Sequence, residues 1–149
     1  MATFYDRFVE CAEHWPQNVA LEIQRRERVE SYTYAEVRRM AESVGAWLEK
    51  NRVPTDARIA ILADNHPRWV TSFLGVVAAG RTAVPLDTAL HADQVTTLLK
   101  DSGSSLLFSD GKHLATAREA VASLPIRLVL TNPAELKDGK GGKDGSGQA

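Results

Sequence analysis

Three aspartates stand directly after apolar runs, where residue type and position could support chemistry. They are Asp64, after residues 59–63, Asp87, after residues 82–86, and Asp110, after residues 105–109. If the runs are parallel strands, their carboxyl ends meet at one edge of a sheet, where ligands bind. Clustered carboxylates hold hard divalent cations, so one interpretation is a metal or phosphoryl-transfer site. The interpretation that we favour is that each aspartate caps the helix after it.

Other chemistry-bearing residues lack the setting that their chemistry needs. A receiver-type phosphoacceptor would place a lysine at the end of a late strand, and here that strand is followed by Thr131, Asn132 and Pro133. The glycines at residues 139–147 follow no apolar strand and precede no Lys-Ser or Lys-Thr pair, so they do not form a phosphate loop. The histidines have neither metal-ligand spacing nor a paired nucleophile; they are His14, His66, His91 and His113. We predict no catalytic residue and no metal ligand in this chain.

The segment at residues 58–90 contains the elements that would position the aspartates. Residues 59–63 form an unbroken apolar run, which is typical of a parallel strand covered on both faces. Asn65 or His66 is expected to cap the helix that follows, and Gly80 is expected to end it. A second apolar run comes next, so the spacing predicts a strand–helix–strand crossover between parallel neighbours.

The chain before this segment is predicted to form a short helix, a β-hairpin and a long helix. The hairpin strands at residues 19–24 and 29–33 flank a turn with three arginines at residues 25, 26 and 28. Glutamates at residues 22, 27 and 30 are interspersed with them, so we expect a solvated turn rather than an anion site. Thr33 and Glu36 have the spacing of a capping box, and a helix follows to about Lys50.

Two further helix–strand pairs after the central segment complete an α/β fold class. We predict a three-layer, mostly parallel, doubly wound (flavodoxin-like) sheet with an N-terminal helix and β-hairpin. Residues 1–133 form one unit, in which 1–33 are the helix and hairpin and 34–133 the parallel layer. Residues 134–149 are rich in glycine and lysine and have nothing to bury, so we expect a flexible tail.

Composition and charge exclude several functional classes. With 44% hydrophobic and 25% charged residues, the 149-residue chain has the composition of a globular protein in water. A formal net charge of -1 gives no reason to expect nucleic acid as a partner. There is no apolar run of about 18 residues and no leader sequence, so we expect a cytoplasmic protein without a transmembrane segment.

Several short motifs of the chain occur in a recognisable order. The first strand is followed by Asn65, Pro67 and Trp69, the helix ends in Ala-Gly, and Ala-Val-Pro-Leu follows at residues 83–86. The pattern begins with Tyr-Thr-Tyr-Ala-Glu at residues 32–36 and continues to Asp-Ser-Gly after the next helix. This combination resembles the N-terminal region of the adenylate-forming acyl-CoA synthetase superfamily, which includes acid-CoA ligases, luciferases and peptide-synthetase adenylation domains.

The resemblance implies an ATP-dependent carboxylic acid-CoA ligase, with a fatty or aryl acid as substrate. The parent enzyme would use ATP, Mg²⁺ and CoA, activating the acid as an acyl-adenylate and transferring it to CoA. The family's Gly-rich ATP loop ending in Pro-Lys-Gly does not occur in this sequence. We therefore expect an N-terminal portion that binds no cofactor and is inactive alone, because adenylation needs charge-stabilising groups around the α-phosphate.

The resemblance also suggests binding residues and a partner surface. In CoA-forming members, the turn after the second parallel strand lies near the pantetheine end of the CoA tunnel, which implicates Asp87, Thr88 and Ala89. Basic residues after the next strand can lie near the CoA phosphates, which implicates Lys112. The family tends to place the early hairpin on a different sheet, so the hairpin between Val19 and Thr33 is expected to be mobile, swapped or packed in a homodimer.

Two other functional classes stay open from the sequence. One is a stand-alone flavodoxin-like receiver or binding module that uses the strand-end acids for a metal or a phosphate. The other is a non-catalytic interaction domain that self-associates through the hairpin. The sequence does not distinguish CoA from a carrier protein or luciferase-like chemistry, and it does not identify the acid.

Overall fold

The structure, a computed structural model, describes residues 1–132. The predicted tail at residues 134–149 lies outside these described residues. The helices and strands in chain order are α1 Phe4–His14, β1 Val19–Arg25, β2 Arg28–Thr33, α2 Tyr34–Lys50, β3 Arg58–Leu62, α3 Pro67–Ala78, β4 Thr82–Pro85, α4 Ala92–Ser102, β5 Leu106–Ser109, α5 Leu114–Val121 and β6 Arg127–Leu130.

Four strands form a parallel sheet in the order β4-β3-β5-β6. The chain goes from β3 outward to β4 and then crosses back to β5, so the direction of winding reverses between β3 and β5. This is the flavodoxin-like arrangement, and it confirms the predicted fold class. Such a reversal opens a crevice at the carboxyl ends of the two strands, which here end at Leu62 and Ser109.

Helices cover both faces of the sheet and make it the middle of three layers. Ile59 and Ile61 pack towards α2 and α3 together with Val76, whereas Ala60 and Leu62 face α4 and α5. All four of these strand residues have an exposed fraction of 0%. The apolar run is unbroken because alternate side chains of β3 enter two different cores, so the strand is covered on both faces as the sequence predicted.

Local signals set the helix ends. Thr33 Oγ1 accepts from the Glu36 backbone N–H at 3.2 Å, and the Glu36 carboxylate accepts from the Thr33 N–H at 2.8 Å, which is the predicted capping box. His66 caps α3 by accepting the Arg68 N–H at Nδ1. Gly80 follows α3 with φ +72°, a left-handed conformation that side chains disfavour.

The hairpin forms a separate two-stranded sheet, as predicted, and β1 pairs with β2 in antiparallel register. Both strands extend further than predicted, so the turn contains only Arg26 and Glu27. On one side, Leu21 and Tyr32 pack against Val37 and its neighbours on α2 and α3 of the same chain. Self-association through the hairpin stays a prediction.

Two further features concern the helices. On α4, Val95 and Leu99 are buried, but the neighbouring apolar residue Leu98 is 40% exposed. Among the helices of residues 1–132, none combines the length and apolar character needed to cross a bilayer.

Candidate functional site

The carboxyl edge of the sheet brings together polar residues from three loops. Asp64 follows β3 and Asp110 follows β5, and the Asp64 backbone N–H donates to Asp110 Oδ2 at 2.8 Å. Asp87 lies in the loop after β4, on the other side of β3. The strand order therefore places Asp64 between the loop that contains Asp87 and the loop that contains Asp110.

Two basic side chains hold the Asp64 carboxylate. Lys112 Nζ donates to Oδ2 at 2.7 Å, and His113 Nε2 lies 2.7 Å from Oδ1. These hydrogen bonds, from Lys112 first and then from His113, lower the pKa of Asp64 below its ordinary value. The same contact raises the pKa of Lys112, because its ammonium is stabilised by the carboxylate. With its side chain 42% exposed, Asp64 forms these pairs partly in contact with solvent.

The other two aspartates are satisfied by backbone donors close in sequence. Asp110 Oδ1 accepts the His113 N–H at 2.8 Å in the turn ahead of α5. His113 is the N-cap of α5, and this helix has no side-chain cap hydrogen bond. Asp87 Oδ1 accepts the Ala89 N–H at 2.9 Å within its loop, ahead of α4. Asp64 does not cap α3, since His66 has that role. The prediction that each aspartate caps the following helix is therefore wrong, because their carboxylates bind loop N–H groups or basic side chains instead.

Asp64, Asp110 and His113 are close enough to be considered as metal ligands. One ligand atom from each lies within 4.8 Å of the others. Both carboxylate oxygens of Asp64 already have cationic or ring-nitrogen partners, and Asp110 accepts two backbone N–H groups. A metal ion bound by these three residues would have to displace Lys112 from Asp64 and break the contact between His113 and Asp64, whereas in this structure the carboxylates are satisfied by protein groups.

The residues expected to contact CoA lie along this edge in two neighbouring cavities. Asp87 and Thr88 line a cavity of about 520 Å³ together with Asp64. Lys112 lines a second cavity of about 250 Å³, and Asp64 also borders this one. Ala89 is exposed in the loop after β4. The structure thus brings the four residues to one edge, and Asp64 separates Lys112 from the other three.

Two features of this edge were missed from the sequence. The sequence pattern assigned no contact to His113, yet its side chain is only 14% exposed and contacts Asp64, 49 residues away. Arg25, in the hairpin turn region, reaches the edge, where its Nη2 lies 2.6 Å from His66 Nε2. Both are contacts across long stretches of chain, for which neither spacing nor periodicity gives a signal.

Comparison with known proteins adds a family match and several relatives. The family model described as AMP-binding enzyme matches residues 8–146. The chain is 30% identical over 142 residues to tyrocidine synthase 3 of Brevibacillus parabrevis, an alignment that covers 95% of this chain and 2% of that protein. It is 30% identical over 106 residues to the D-alanine–D-alanyl carrier protein ligase of Bacillus cytotoxicus, which covers 71% of this chain and 19% of the ligase.

A solved structure shares the fold. The benzoate CoA ligase of Burkholderia xenovorans LB400 superimposes with a TM-score of 0.81 at 21% identity, over 90% of this chain and 27% of that one. The chain therefore spans only a small part of the length of each of these three proteins.

Proposed function

This chain belongs to the AMP-binding enzyme family, and on that premise we propose that it is the N-terminal portion of an ATP-dependent carboxylic acid-CoA ligase. The observation that carries the proposal is the family match, which extends over residues 8–146 and includes the whole parallel sheet. The resemblance inferred from the sequence is thereby confirmed at the level of the family. A fatty acid as the substrate and CoA as the acceptor are parts of the proposal.

In the proposed reaction, the carboxylate would take the adenylyl group of ATP in the presence of Mg²⁺, and pyrophosphate would leave. The thiol of CoA would then receive the acyl group, and AMP would leave. Within residues 1–132, the residues that we assign to this reaction contact the acyl acceptor, CoA. We assign the pantetheine end to the loop of Asp87, Thr88 and Ala89, which borders the cavity of about 520 Å³. Its exposed Ala89 brings backbone to the surface, where an extended amide-containing chain could pack.

Lys112 is assigned to the phosphates, and its surroundings fit this role in part. The ammonium is 72% exposed, so an anion can reach it from solvent. It is also hydrogen-bonded to Asp64, so a phosphate would compete with that carboxylate for the same charge. Lys112 therefore fits a contact with a CoA phosphate at the protein surface. Competition from the Asp64 carboxylate would weaken that contact.

The test is an acid-dependent ATP–pyrophosphate exchange assay on this chain and on the product of the complete open reading frame. A panel of fatty, aryl and amino acids identifies the substrate, and thioester formation with CoA is followed in the same reactions. We expect exchange and CoA thioester from the complete product with a fatty acid, and neither from residues 1–149 alone. A complete product that exchanges with no acid overturns the ligase assignment.

A second candidate differs in the acceptor. Both sequence relatives described above are 30% identical to this chain, and one is named a ligase for a carrier protein. In that case the acyl group would pass to the thiol of a carrier-protein pantetheine rather than to free CoA. Exchange without CoA thioester, together with acylation of an added carrier protein, would select this acceptor.

The receiver alternative has less support from the geometry. A phosphoacceptor needs a carboxylate open to a phosphoryl donor and a metal ion, whereas both Asp64 oxygens are hydrogen-bonded to Lys112 and His113.

We also propose that residues 1–33 and 34–133 are the two parts of one unit. The homodimer through the hairpin remains part of this proposal, and sedimentation velocity would test it.

A further inference from the structure

A small cavity lies where the hairpin meets the carboxyl edge of the parallel sheet. It is bordered by Ile23 and Arg25 near the end of β1, by the loop between β3 and α3, and by Asp110 and Lys112 after β5. Its volume is about 250 Å³, below the range of roughly 300–1,000 Å³ that small-molecule sites occupy. The space therefore suits a small ion, or a single polar group of a larger molecule.

His66 borders this cavity and makes a contact at each of its ring nitrogens. Nδ1 accepts the Arg68 backbone N–H at 3.0 Å, and Nε2 lies 2.6 Å from Arg25 Nη2. A neutral imidazole has one acceptor nitrogen, whereas a backbone N–H and a guanidinium only donate. The two contacts therefore cannot both be hydrogen bonds, whichever tautomer His66 adopts.

The helix cap decides which of the two contacts is the hydrogen bond. His66 is the N-cap residue of α3, so its Nδ1 keeps a lone pair for the Arg68 N–H and its ring proton is on Nε2. The His66 Nε2–H and the Arg25 guanidinium are then two donors that converge on one point of the cavity. An oxygen at this point would accept a hydrogen bond from each of them.

The charges around the cavity favour an anionic acceptor. Three cations, Arg25, Arg68 and Lys112, border it together with two carboxylates, Asp64 and Asp110. Lys112 and Asp64 pair with each other, and Asp110 accepts two backbone N–H groups. One positive charge is in excess, and it belongs to the two arginines rather than to the lysine.

Arg25 is only loosely held by other charges. Its Nε lies 3.9 Å from Glu30 Oε2, and the Glu30 carboxylate also accepts from Arg28 Nη2 at 2.8 Å. The Arg25 side chain is 48% exposed, and its fork of donors matches the oxygens of a phosphoryl group. The turn sequence alone predicted no anion site, because it does not show that Arg25 meets His66 at the start of α3.

We propose that this cavity binds a phosphoryl group, held by Arg25, Arg68 and the His66 Nε2–H. The phosphoryl oxygens replace the imidazole as the partner of Arg25, so His66 keeps its cap at Nδ1 and donates at Nε2. A wider cavity of about 1240 Å³, which Arg25 and Lys112 also line, leaves space for the rest of a phosphate ester. The inference goes beyond the ligase assignment, which gives no role to Arg25, His66 or Arg68, and does not depend on it.

The experiment is an NMR titration of the product of the complete open reading frame, labelled with ¹⁵N in its histidine rings, with inorganic phosphate. The His66 signals are assigned by their loss in a His66→Asn variant. We expect saturable shifts of the His66 ring nitrogens with a dissociation constant on the order of 1 mM, which suits an ion of this size. Potassium chloride at equal ionic strength is the control for screening and should give no saturable shift.

The same spectra without ligand report the tautomer of His66. The inference requires a proton on Nε2 and an unprotonated Nδ1, because only then do two donors converge on the cavity. A proton on Nδ1 would make Nε2 the acceptor of the Arg25 guanidinium, and that result would overturn the proposal.

Matched variants separate direct contact from general charge. Arg25→Gln should weaken phosphate binding about tenfold, because a charge-assisted hydrogen bond is lost. Arg39→Gln removes the same charge from an exposed position of α2 outside both cavities and should weaken binding by less than about twofold. His66→Asn keeps a favoured N-cap residue, so the melting temperature should be maintained while phosphate binds roughly threefold more weakly.

A second titration, with adenosine 3′,5′-bisphosphate, distinguishes a phosphate ester from the free ion. Binding about tenfold tighter than that of inorganic phosphate identifies a nucleotide ester as the ligand, and comparable binding identifies the free ion. Both results support the site. Equal phosphate affinity in Arg25→Gln and Arg39→Gln, or His66 shifts that chloride reproduces, would overturn it. None of these results bears on the ATP–pyrophosphate exchange assay, which tests the ligase assignment separately.

Discussion

The two edges of the parallel sheet are opposite in charge, and their charged side chains make different contacts. At the amino edge, Arg58, Arg81 and Arg127 lie at the starts of three strands and donate to groups near the ends of helices. Arg58 donates to the Ser102 carbonyl at the end of α4, and Arg127 donates to the Asn51 side chain after α2. At the carboxyl edge the acids Asp64, Asp87 and Asp110 follow the strands.

Helix polarity accounts for this difference. In an α/β layer every helix ends near the amino edge, where its free carbonyls and partial negative charge favour cations, and begins near the carboxyl edge, where anions are favoured. Arg81 is the extreme case, because its side chain is 2% exposed and donates to Glu49 and to the carbonyls of Val53, Pro54 and Ala79. The amino edge is thus closed by structural contacts, and the carboxyl edge keeps its polar groups within reach of ligands.

The largest effect is expected at the closed edge, for Arg81→Met. The carbonyls of Val53, Pro54 and Ala79 would lose the buried Arg81 guanidinium as a donor, and methionine offers none in return. We expect a loss of about 3 kcal/mol in the free energy of unfolding, measured by urea denaturation. Arg39→Met, at an exposed site, should change it by less than about 0.5 kcal/mol. Similar losses for the two variants would show that the amino edge is not closed by this arginine.

The helix pair that spans both edges should be nearly as sensitive, at Gly75. A Cβ there would lie 2.5 Å from Val44 Cβ and 2.6 Å from the Ala41 carbonyl oxygen, so α2 and α3 would have to separate. Gly75→Ala should cost about 2 kcal/mol. Gly45→Ala is the matched control, because its Cβ would meet nothing closer than 3.5 Å. It should be neutral or stabilising, and a melting curve that ranks the two variants in the other order would contradict the packing described.

At the open edge, Asp64→Asn should have a smaller effect that depends on pH. The pKa of Asp64 is lowered in the folded state, so its contribution to stability is present above the unfolded value of about 4. That contribution is lost as the pH falls through the lower folded value. Because the side chain is 42% exposed, we expect only about 1 kcal/mol at neutral pH.

The pH profile distinguishes this ion-pair effect from a general loss of packing. Urea denaturation of the wild type and of Asp64→Asn from pH 7 down to pH 2.5 should show two curves that converge in the acid range. A difference that stays constant across the series would mean that the carboxylate charge is not what Lys112 and His113 stabilise.

The smallest change in stability is expected for Lys112→Ala. With the Lys112 side chain 72% exposed, the free energy of unfolding should be almost unchanged. The effect on ligand binding should be the larger one, with the CoA affinity of the complete open reading frame's product reduced severalfold if Lys112 contacts the phosphates. Lys100→Ala, at an exposed position of α4, is the control. If isothermal titration of the two variants of that complete product finds equal CoA affinity, Lys112 is removed from the site.

Signals local in sequence predicted much of the fold. The capping box of Thr33 and Glu36, the left-handed Gly80 and the apolar run of β3 each act over a few residues, so their spacing carries the information. The strand-end acids were also found, because a parallel sheet brings its carboxyl ends together.

The contacts that close each edge were not predictable in this way. Arg81 reaches Val53 and Pro54 across 28 and 27 residues, and His113 reaches Asp64 across 49. Such pairs depend on which strands become neighbours and on side-chain rotamers, and neither is encoded by periodicity.

The most direct test of the central claim, that the carboxyl edge is the side that meets the acyl acceptor, is an NMR titration of the product of the complete open reading frame with CoA. The amides of Asp87, Thr88, Ala89 and Lys112 report on that edge, and those of Arg58, Arg81 and Arg127 report on the other. The account predicts saturable shifts in the first group and none in the second. Shifts confined to the amino edge, or an unchanged carboxyl edge at the solubility limit of CoA, would contradict it.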